Sequence, residues 1–152
     1  MNIIESSQIS SALTREATET ESPNIQVSIA QAALDVNIEG ACVEACIQLQ
    51  DEYLIFTTND CPFEETLNIY LIDAENNVVD SASIYWMYSI GMFSDLTIKN
   101  ANTIGFTFFK DTPWTLEVFE KPQMMVPYIS EPKGVFRKIK LKRRFRVSSI
   151  QN

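Results

Sequence analysis

The stretch from Ala41 to Thr58, "ACVEACIQLQDEYLIFTT", decides the fold class of this chain. In its first half, apolar residues occupy every second position, which is the alternation of a half-buried β-strand. These apolar positions are Val43, Ala45, Ile47 and Leu49. The polar "QDE" that follows indicates a turn, and "YLIFTT" has the composition of a returning strand. The stretch therefore predicts an antiparallel β-hairpin.

The same kind of pattern continues along the chain. Stretches of strand length are separated by short segments that contain Asn, Asp, Gly and Pro, the residues that favour turns. The segment 25–38 is ambiguous, because its alternation suits a strand whereas Ser28 followed by Gln31 is a helix-capping pattern; we favour a strand. The candidate strands are 42–49, 53–58, 66–73, 78–87, 93–99, 103–109, 114–120 and 135–147. Their regular spacing and short connections predict an all-β, antiparallel fold, either a sandwich or an up-and-down eight-stranded barrel.

The chain divides into an N-terminal segment and one domain. Residues 1–22 are rich in Ser, Thr and Glu, so we expect this segment to be flexible or loosely docked. Residues 23–152 are expected to form a single β-rich domain. The N-terminus lacks the features of a signal peptide and the three cysteines cannot all pair within one chain, which favours a cytoplasmic setting. No apolar run approaches the roughly 20 residues that span a bilayer, so no membrane partner is expected.

The absence of histidine narrows the chemistry of the chain. It excludes the Ser-His-Asp and Cys-His nucleophile pairs and every histidine metal site. The four glycines are too far apart to form a phosphate-binding loop. We therefore expect no enzyme activity, no cofactor and no metal site.

A basic stretch, Val135–Val147 or "VFRKIKLKRRFRV", stands out in a chain whose formal net charge is −8. The first 132 residues hold four bases and all twenty acids, and the last twenty residues hold eight bases and no acid. Alternation places bases on one face and mainly apolar residues on the other, namely Val135, Ile139, Leu141, Phe145 and Val147. A strand of this length is longer than typical strands, so we predict that it bends, or spans both sheets, near Arg143 and Arg144. The basic face comprises Lys138, Lys140, Lys142, Arg144 and Arg146.

Three roles are open for this basic face. Cross-strand acids such as Glu44, Asp95 or Glu117 would pair with the bases. The bases would alternatively protect an edge strand from aggregation, or bind nucleic acid. We favour the first two roles, which are compatible, because the acidic remainder of the chain would repel a polyanion.

The leading hypothesis for function is a non-catalytic protein-binding module. Small acidic domains of this kind include immunity and antitoxin proteins, inhibitors whose acidic faces cover the basic site of a partner. The expected contacts lie in the polar stretch "TTNDCPFEETLN" and the aromatic stretch "IYWMYSIGMF". They are Asp60, Glu64, Glu65, Tyr85 and Tyr88.

Two other functions remain open. A carrier of a small apolar ligand would use a calycin-like barrel whose cavity is lined by inward-facing aromatic residues. These residues are Trp86, Phe106, Phe108 and Trp114. The third hypothesis is nucleic-acid binding through the basic C-terminal strand.

Overall fold

The computed structural model describes residues 1–61, 63–109, 112–127 and 129–149. This part of the chain contains thirteen β-strands, one short 3-10 helix (Ser6–Gln8) and no α-helix. In chain order the strands are β1 (Asn2–Ile3), β2 (Ile9–Arg15), β3 (Asn24–Ile29), β4 (Leu34–Glu39), β5 (Cys42–Leu49), β6 (Glu52–Thr58), β7 (Thr66–Ile72), β8 (Val78–Tyr85), β9 (Ser94–Ile98), β10 (Thr103–Thr107), β11 (Pro113–Met124), β12 (Val135–Phe136) and β13 (Lys142–Ser149).

These strands form three antiparallel sheets. The central sheet has the order β1-β5-β6-β7-β8-β12, the C-terminal sheet β13-β11-β10-β9 and the N-terminal sheet β2-β3-β4. Strands β5 to β8 are consecutive neighbours, as the short connections between them predict. Among the described residues no sheet closes on itself, so the all-β, antiparallel prediction is confirmed in its sandwich form and not as a barrel.

The central sheet is covered on both faces. One face packs against the C-terminal sheet, where Phe56 lies in a core with Phe106 and Phe145. The other face packs against the N-terminal sheet, where Ile55 lies in a second core with Val27. Every residue of β6 from Tyr53 to Thr58 is therefore buried, which explains why its first four residues, "YLIF", are all apolar.

The N-terminal sheet is formed by the segment 25–38 and by part of residues 1–22. The segment 25–38 forms strands as favoured, but it is a hairpin of β3 and β4 and not a single strand. Strand β2 lies within residues 1–22 and pairs with β3, although six of its seven residues are exposed. Flexible or loose docking of residues 1–22 stays a prediction. Residues 150–152 of the predicted domain lie outside the described residues.

A β-bulge in β5 changes the face of one predicted core residue. The register of β5 against β6 shifts between Val43 and Ala45, which leaves Glu44 unpaired in the ladder. Ala45 and Ile47 contact the core shared with the C-terminal sheet. Val43 instead lies on the opposite face, because one extra residue in a strand reverses the alternation of the residues beyond it.

The stretch 135–147 spans two sheets, which is one of the two predicted alternatives, but it is not a single strand. This stretch forms two strands in different sheets: β12 pairs with β8 at the edge of the central sheet, and β13 pairs with β11. The chain changes sheet at residues 137–141 and not at the predicted bend, since Arg143 and Arg144 lie inside β13.

The change of sheet also reverses part of the predicted alternation. Ile139 and Leu141 were expected on the apolar face, but both are exposed. Phe145 and Val147 are fully buried as expected, because β13 itself is regular. Arg143 shares their face and is buried with them.

Replacing Ile55 by alanine should lower the free energy of unfolding by about 2–5 kcal/mol, because it leaves a cavity between the central and N-terminal sheets. Ile55 is fully buried, whereas Val78 at the start of β8 is about half exposed and serves as the control. Val78→Ala should change this free energy by no more than about 0.5 kcal/mol. Urea unfolding followed by circular dichroism measures both variants. Similar losses for the two would contradict the coverage of this face by the N-terminal sheet.

Candidate functional site

The connection between β6 and β7 and the connection between β8 and β9 leave the central sheet at the same end, because Thr66 pairs with Tyr85. The Glu64 side chain joins them. One of its carboxylate oxygens accepts a hydrogen bond from the Tyr85 hydroxyl (3.2 Å), and the other accepts one from the backbone N–H of Tyr88 (3.2 Å). The structure thus brings together three of the predicted contact residues, Glu64, Tyr85 and Tyr88.

The other two predicted contact residues, Asp60 and Glu65, have different roles. Glu65 is buried, and its carboxylate accepts hydrogen bonds from the backbone N–H groups of Asn59 (2.7 Å), Cys61 (3.0 Å) and Thr66 (3.1 Å). Its side chain therefore holds the connection in place and is not presented to a partner. Asp60 is exposed and adopts a left-handed conformation (φ 56°), which aspartate tolerates better than most non-glycine residues.

The same end of the molecule exposes many large apolar side chains. Tyr88 is 83% exposed and Phe63 is 79% exposed, so neither belongs to a core. The exposed apolar residues of the two connections are Phe63, Trp86, Met87, Tyr88, Ile90 and Met92. Together with Asp60 and Glu64 we name them the acidic aromatic surface. Clusters of this kind mark interaction sites, and aromatic residues and methionine are enriched at protein interfaces.

The connection from Trp86 to Phe93 is fixed at its far end as well. The ring of Phe93 packs on those of Phe56 (5.1 Å between centroids) and Phe106 (5.4 Å). Gly91 lies so close to Phe108 that any side chain there would overlap the phenyl ring. The exposed side chains are therefore carried on a backbone held at both ends, which is favourable for binding.

The four aromatic residues predicted to line a ligand cavity are placed differently. Phe106, Phe108 and Trp114 are buried in the packed core between the central and C-terminal sheets. The Trp114 indole N–H donates a hydrogen bond to the Phe108 carbonyl oxygen (3.1 Å). Trp86, predicted to face inward, is exposed because β8 ends at Tyr85. The side chains of the first three fill the space that a barrel would have left for a ligand.

Much of the basic stretch is neutralised within the protein. The buried carboxylate of Asp80 in β8 contacts the guanidinium groups of Arg137 (2.7 Å) and Arg143 (3.1 Å). It also accepts a hydrogen bond from the backbone N–H of Arg144 (2.8 Å). Arg137 pairs in addition with Glu131 (2.8 Å), so the cluster of two acids and two arginines has no net charge. It ties the central sheet to the C-terminal sheet.

The two arginines of the predicted basic face are also paired. Arg144 contacts both carboxylate oxygens of Glu52 (2.7 and 3.0 Å). Arg146 contacts Glu117, its cross-strand neighbour, at 2.8 Å. Glu117 was among the expected acids, whereas Glu52 was not.

The three lysines of the predicted basic face, Lys138, Lys140 and Lys142, are exposed. Within the described residues none of them forms a salt bridge, and neither do the expected acids Glu44 and Asp95. The basic face is therefore divided into internally paired arginines and lysines that face the solvent.

Sequence reasoning missed Asp80, although a signal for it was present. In β8, Asp80 shares its face with Ala82 and Ile84, and all three are buried. Arg143 in β13 likewise shares its face with Phe145. A charge at the inward position of a predicted strand requires a buried partner of opposite charge, because an isolated buried charge is costly.

Two of the three thiols are held in their protonated form. Burial raises the pKa of Cys46 to about 12. Partial burial and the nearby charges of Asp60, Glu44 and Glu65 raise the pKa of Cys42. Because the thiolate is the reactive form, neither group is activated as a nucleophile.

Neither a metal site nor a membrane helix is seen in the described ranges. There, no three Cys, Asp or Glu side chains come together in a way that could hold a metal ion. The same residues include no helix long and apolar enough to cross a membrane.

Comparison with known proteins gives no relative of this chain. No family model matches the sequence, and neither a curated protein nor a solved structure shows significant similarity to it. Function must therefore be inferred from the exposed side chains and the charges described above.

Replacing Asp80 by alanine should lower the free energy of unfolding by about 3–5 kcal/mol, because two buried guanidinium groups lose their shared carboxylate. Glu117→Ala is the matched control, since it removes the acid of a partly exposed pair with Arg146. This control should cost no more than about 1 kcal/mol. Urea unfolding measures both, and equal losses would show that the Asp80 cluster is not the stronger constraint.

Glu64→Gln should lower the pKa of Tyr85. Burial and the charge of Glu64 both raise this pKa above its ordinary value, so removal of the charge should bring it down while burial keeps it raised. Ultraviolet absorbance of the tyrosinate during a pH titration measures the change, and Tyr85→Phe identifies the contribution of Tyr85. An unchanged pKa would mean that Glu64 does not contact this hydroxyl in solution.

Proposed function

We propose that this protein is a non-catalytic protein-binding module that uses its acidic aromatic surface to cover a basic, apolar region of another protein. The observation that carries the proposal is the cluster of exposed aromatic and methionine side chains on two connections joined by Glu64. Aromatic side chains account for much of the binding free energy at protein interfaces. Asp60 and Glu64 would favour a partner of opposite charge and speed its encounter.

The way in which the surface is held supports the same function. The hydrogen bonds of Glu64 and Glu65, together with the packing of Phe93, fix both connections before any partner arrives. A surface that is ordered in advance loses less conformational entropy on binding. The contacts of each exposed side chain therefore contribute more to the affinity than they would on a flexible connection.

The net charge of the chain favours one kind of protein-binding module, an inhibitor of the immunity or antitoxin type. A net charge of −8 directs an acidic protein towards basic sites, such as those of toxins that attack nucleic acid. Nucleic-acid binding through the basic stretch is less favoured, because Arg137, Arg143, Arg144 and Arg146 are engaged by carboxylates.

Binding can be tested with Trp86→Ala and Tyr88→Ala, using Leu13→Ala as a control because Leu13 is an exposed apolar residue of β2. Each protein is immobilised and exposed to extract of the native cells at low and high salt. We expect the wild type and the control to retain the same partner, and the two surface variants to bind it at least about tenfold more weakly, a loss of about 1.4 kcal/mol. High salt should weaken binding without abolishing it, since the apolar contacts remain.

Retention of the same proteins by the wild type and by both surface variants would contradict the assignment of this surface. The inhibitor form has its own test, which is co-expression with the product of an adjacent gene. We expect the wild type to protect the cells and Tyr88→Ala to protect them poorly. Failure of the wild type to protect would contradict the inhibitor form alone.

A further inference from the structure

The chain from the end of β11 to the start of β13 exposes a second set of apolar side chains, and lysines flank them. Ile129 is 79% exposed and Ile139 is 76% exposed, so both project from the surface. We name this set the basic apolar surface; its members are Met124, Val126, Ile129, Phe136, Ile139 and Leu141 with Lys133, Lys138, Lys140 and Lys142. Val126, Phe136 and Ile139 also line a groove of about 210 Å³.

The basic apolar surface adjoins the acidic aromatic surface. The rings of Tyr85 and Phe136 lie 6.3 Å apart between centroids. The backbone N–H of Tyr85 donates a hydrogen bond to the Gly134 carbonyl oxygen (2.8 Å). Gly134 in turn lies against Trp86, since a Cβ atom at this position would be 3.0 Å from the indole ring. The two sets therefore form one surface. Exposed apolar side chains lie along its whole length, with acidic residues at one end and lysines at the other.

We propose that this combined surface binds a second copy of the same chain about a two-fold axis near Tyr85 and Phe136. In a two-fold dimer the same surface is used by both copies, so the acidic end of each copy meets the basic end of the other. Asp60 and Glu64 of each copy then face Lys138 and Lys140 of the other, so the dimer contains this set of contacts twice. The inference rests on the proposed function, because it gives the acidic aromatic surface a second occupant that would compete with the other protein for the same side chains.

A second copy fits this surface better than an acidic peptide, a nucleic acid or an anionic bilayer. Each of those partners would meet the lysines, but Asp60 and Glu64 at the other end would repel it. Only a partner with both charges in the opposite order satisfies both ends. This chain carries such a surface.

The number of exposed apolar side chains also favours a covered surface. A stable interface buries roughly 800 Å² on each partner, which is about a tenth of the 8943 Å² surface of this chain. Monomeric proteins rarely expose apolar patches larger than a few hundred Å², so twelve large apolar side chains around one boundary indicate a surface that is covered in solution.

Sedimentation equilibrium of the full chain tests the proposal through two charge-reversal variants. The acid-end variant carries Asp60→Lys and Glu64→Lys, and the base-end variant carries Lys138→Glu and Lys140→Glu. We expect the wild type to dimerise and each variant alone to dimerise at least about tenfold more weakly, because like charges then meet at the interface. An equimolar mixture of the two should form a heterodimer, since every reversed charge again faces an opposite one. Glu75→Lys, an exposed change in the turn before β8, is the control and should leave dimerisation unchanged.

The mixture distinguishes a lost contact from a lost fold, because misfolded variants would not recover by mixing. A mixture that stays monomeric, or a wild type that is monomeric at all concentrations, would overturn the proposal. A monomer that sediments with phosphatidylserine vesicles would also overturn it, by assigning the lysines to a lipid surface. If the wild type is monomeric but still binds another protein through Tyr88, self-association fails while the proposed function stands.

Discussion

The buried carboxylate of Asp80 is the contact on which closure of the structure depends. It binds the guanidinium groups of Arg137 and Arg143, and it accepts the backbone N–H of Arg144 as well. Removing these charges from water costs several kcal/mol per ion, so the basic stretch is stable in the interior only in the register that pairs all of them. This requirement fixes the position of β13 relative to β8, and with it the contact between the central and C-terminal sheets.

The same requirement determines what the molecule exposes. Arg137 and Arg143 both point inward to Asp80, and Arg143 also donates a hydrogen bond to the Lys138 carbonyl oxygen. Residues 138–141, between Arg137 and the start of β13, must cross from one sheet to the other, and they belong to neither sheet. Ile139 and Leu141 consequently project into the solvent with the neighbouring lysines.

Alternation in the sequence predicts most strands of the central sheet, because a half-buried strand needs apolar residues only at every second position. It does not reveal that Ile55 and Phe56 face two different cores, since coverage by a third layer is a tertiary property. It also conceals the crossing at 137–141, where lysines and aliphatic residues go on alternating without a strand. The candidate site is predictable in composition but not in geometry: Glu64 meets Tyr85 only because of the register between β7 and β8.

The contacts that close the fold lie far apart in the chain. Asp80 is 63 residues from Arg143, and Glu52 is 92 residues from Arg144, so these pairs form only after a large loss of chain entropy. Without β12, β8 would be the edge strand of the central sheet, and a strand edge invites pairing with another chain. An inward-pointing charge on such an edge discourages that pairing. Asp80 therefore has a second effect besides pairing with the arginines: it places an inward-pointing charge on a strand whose outer edge is covered by the two residues of β12.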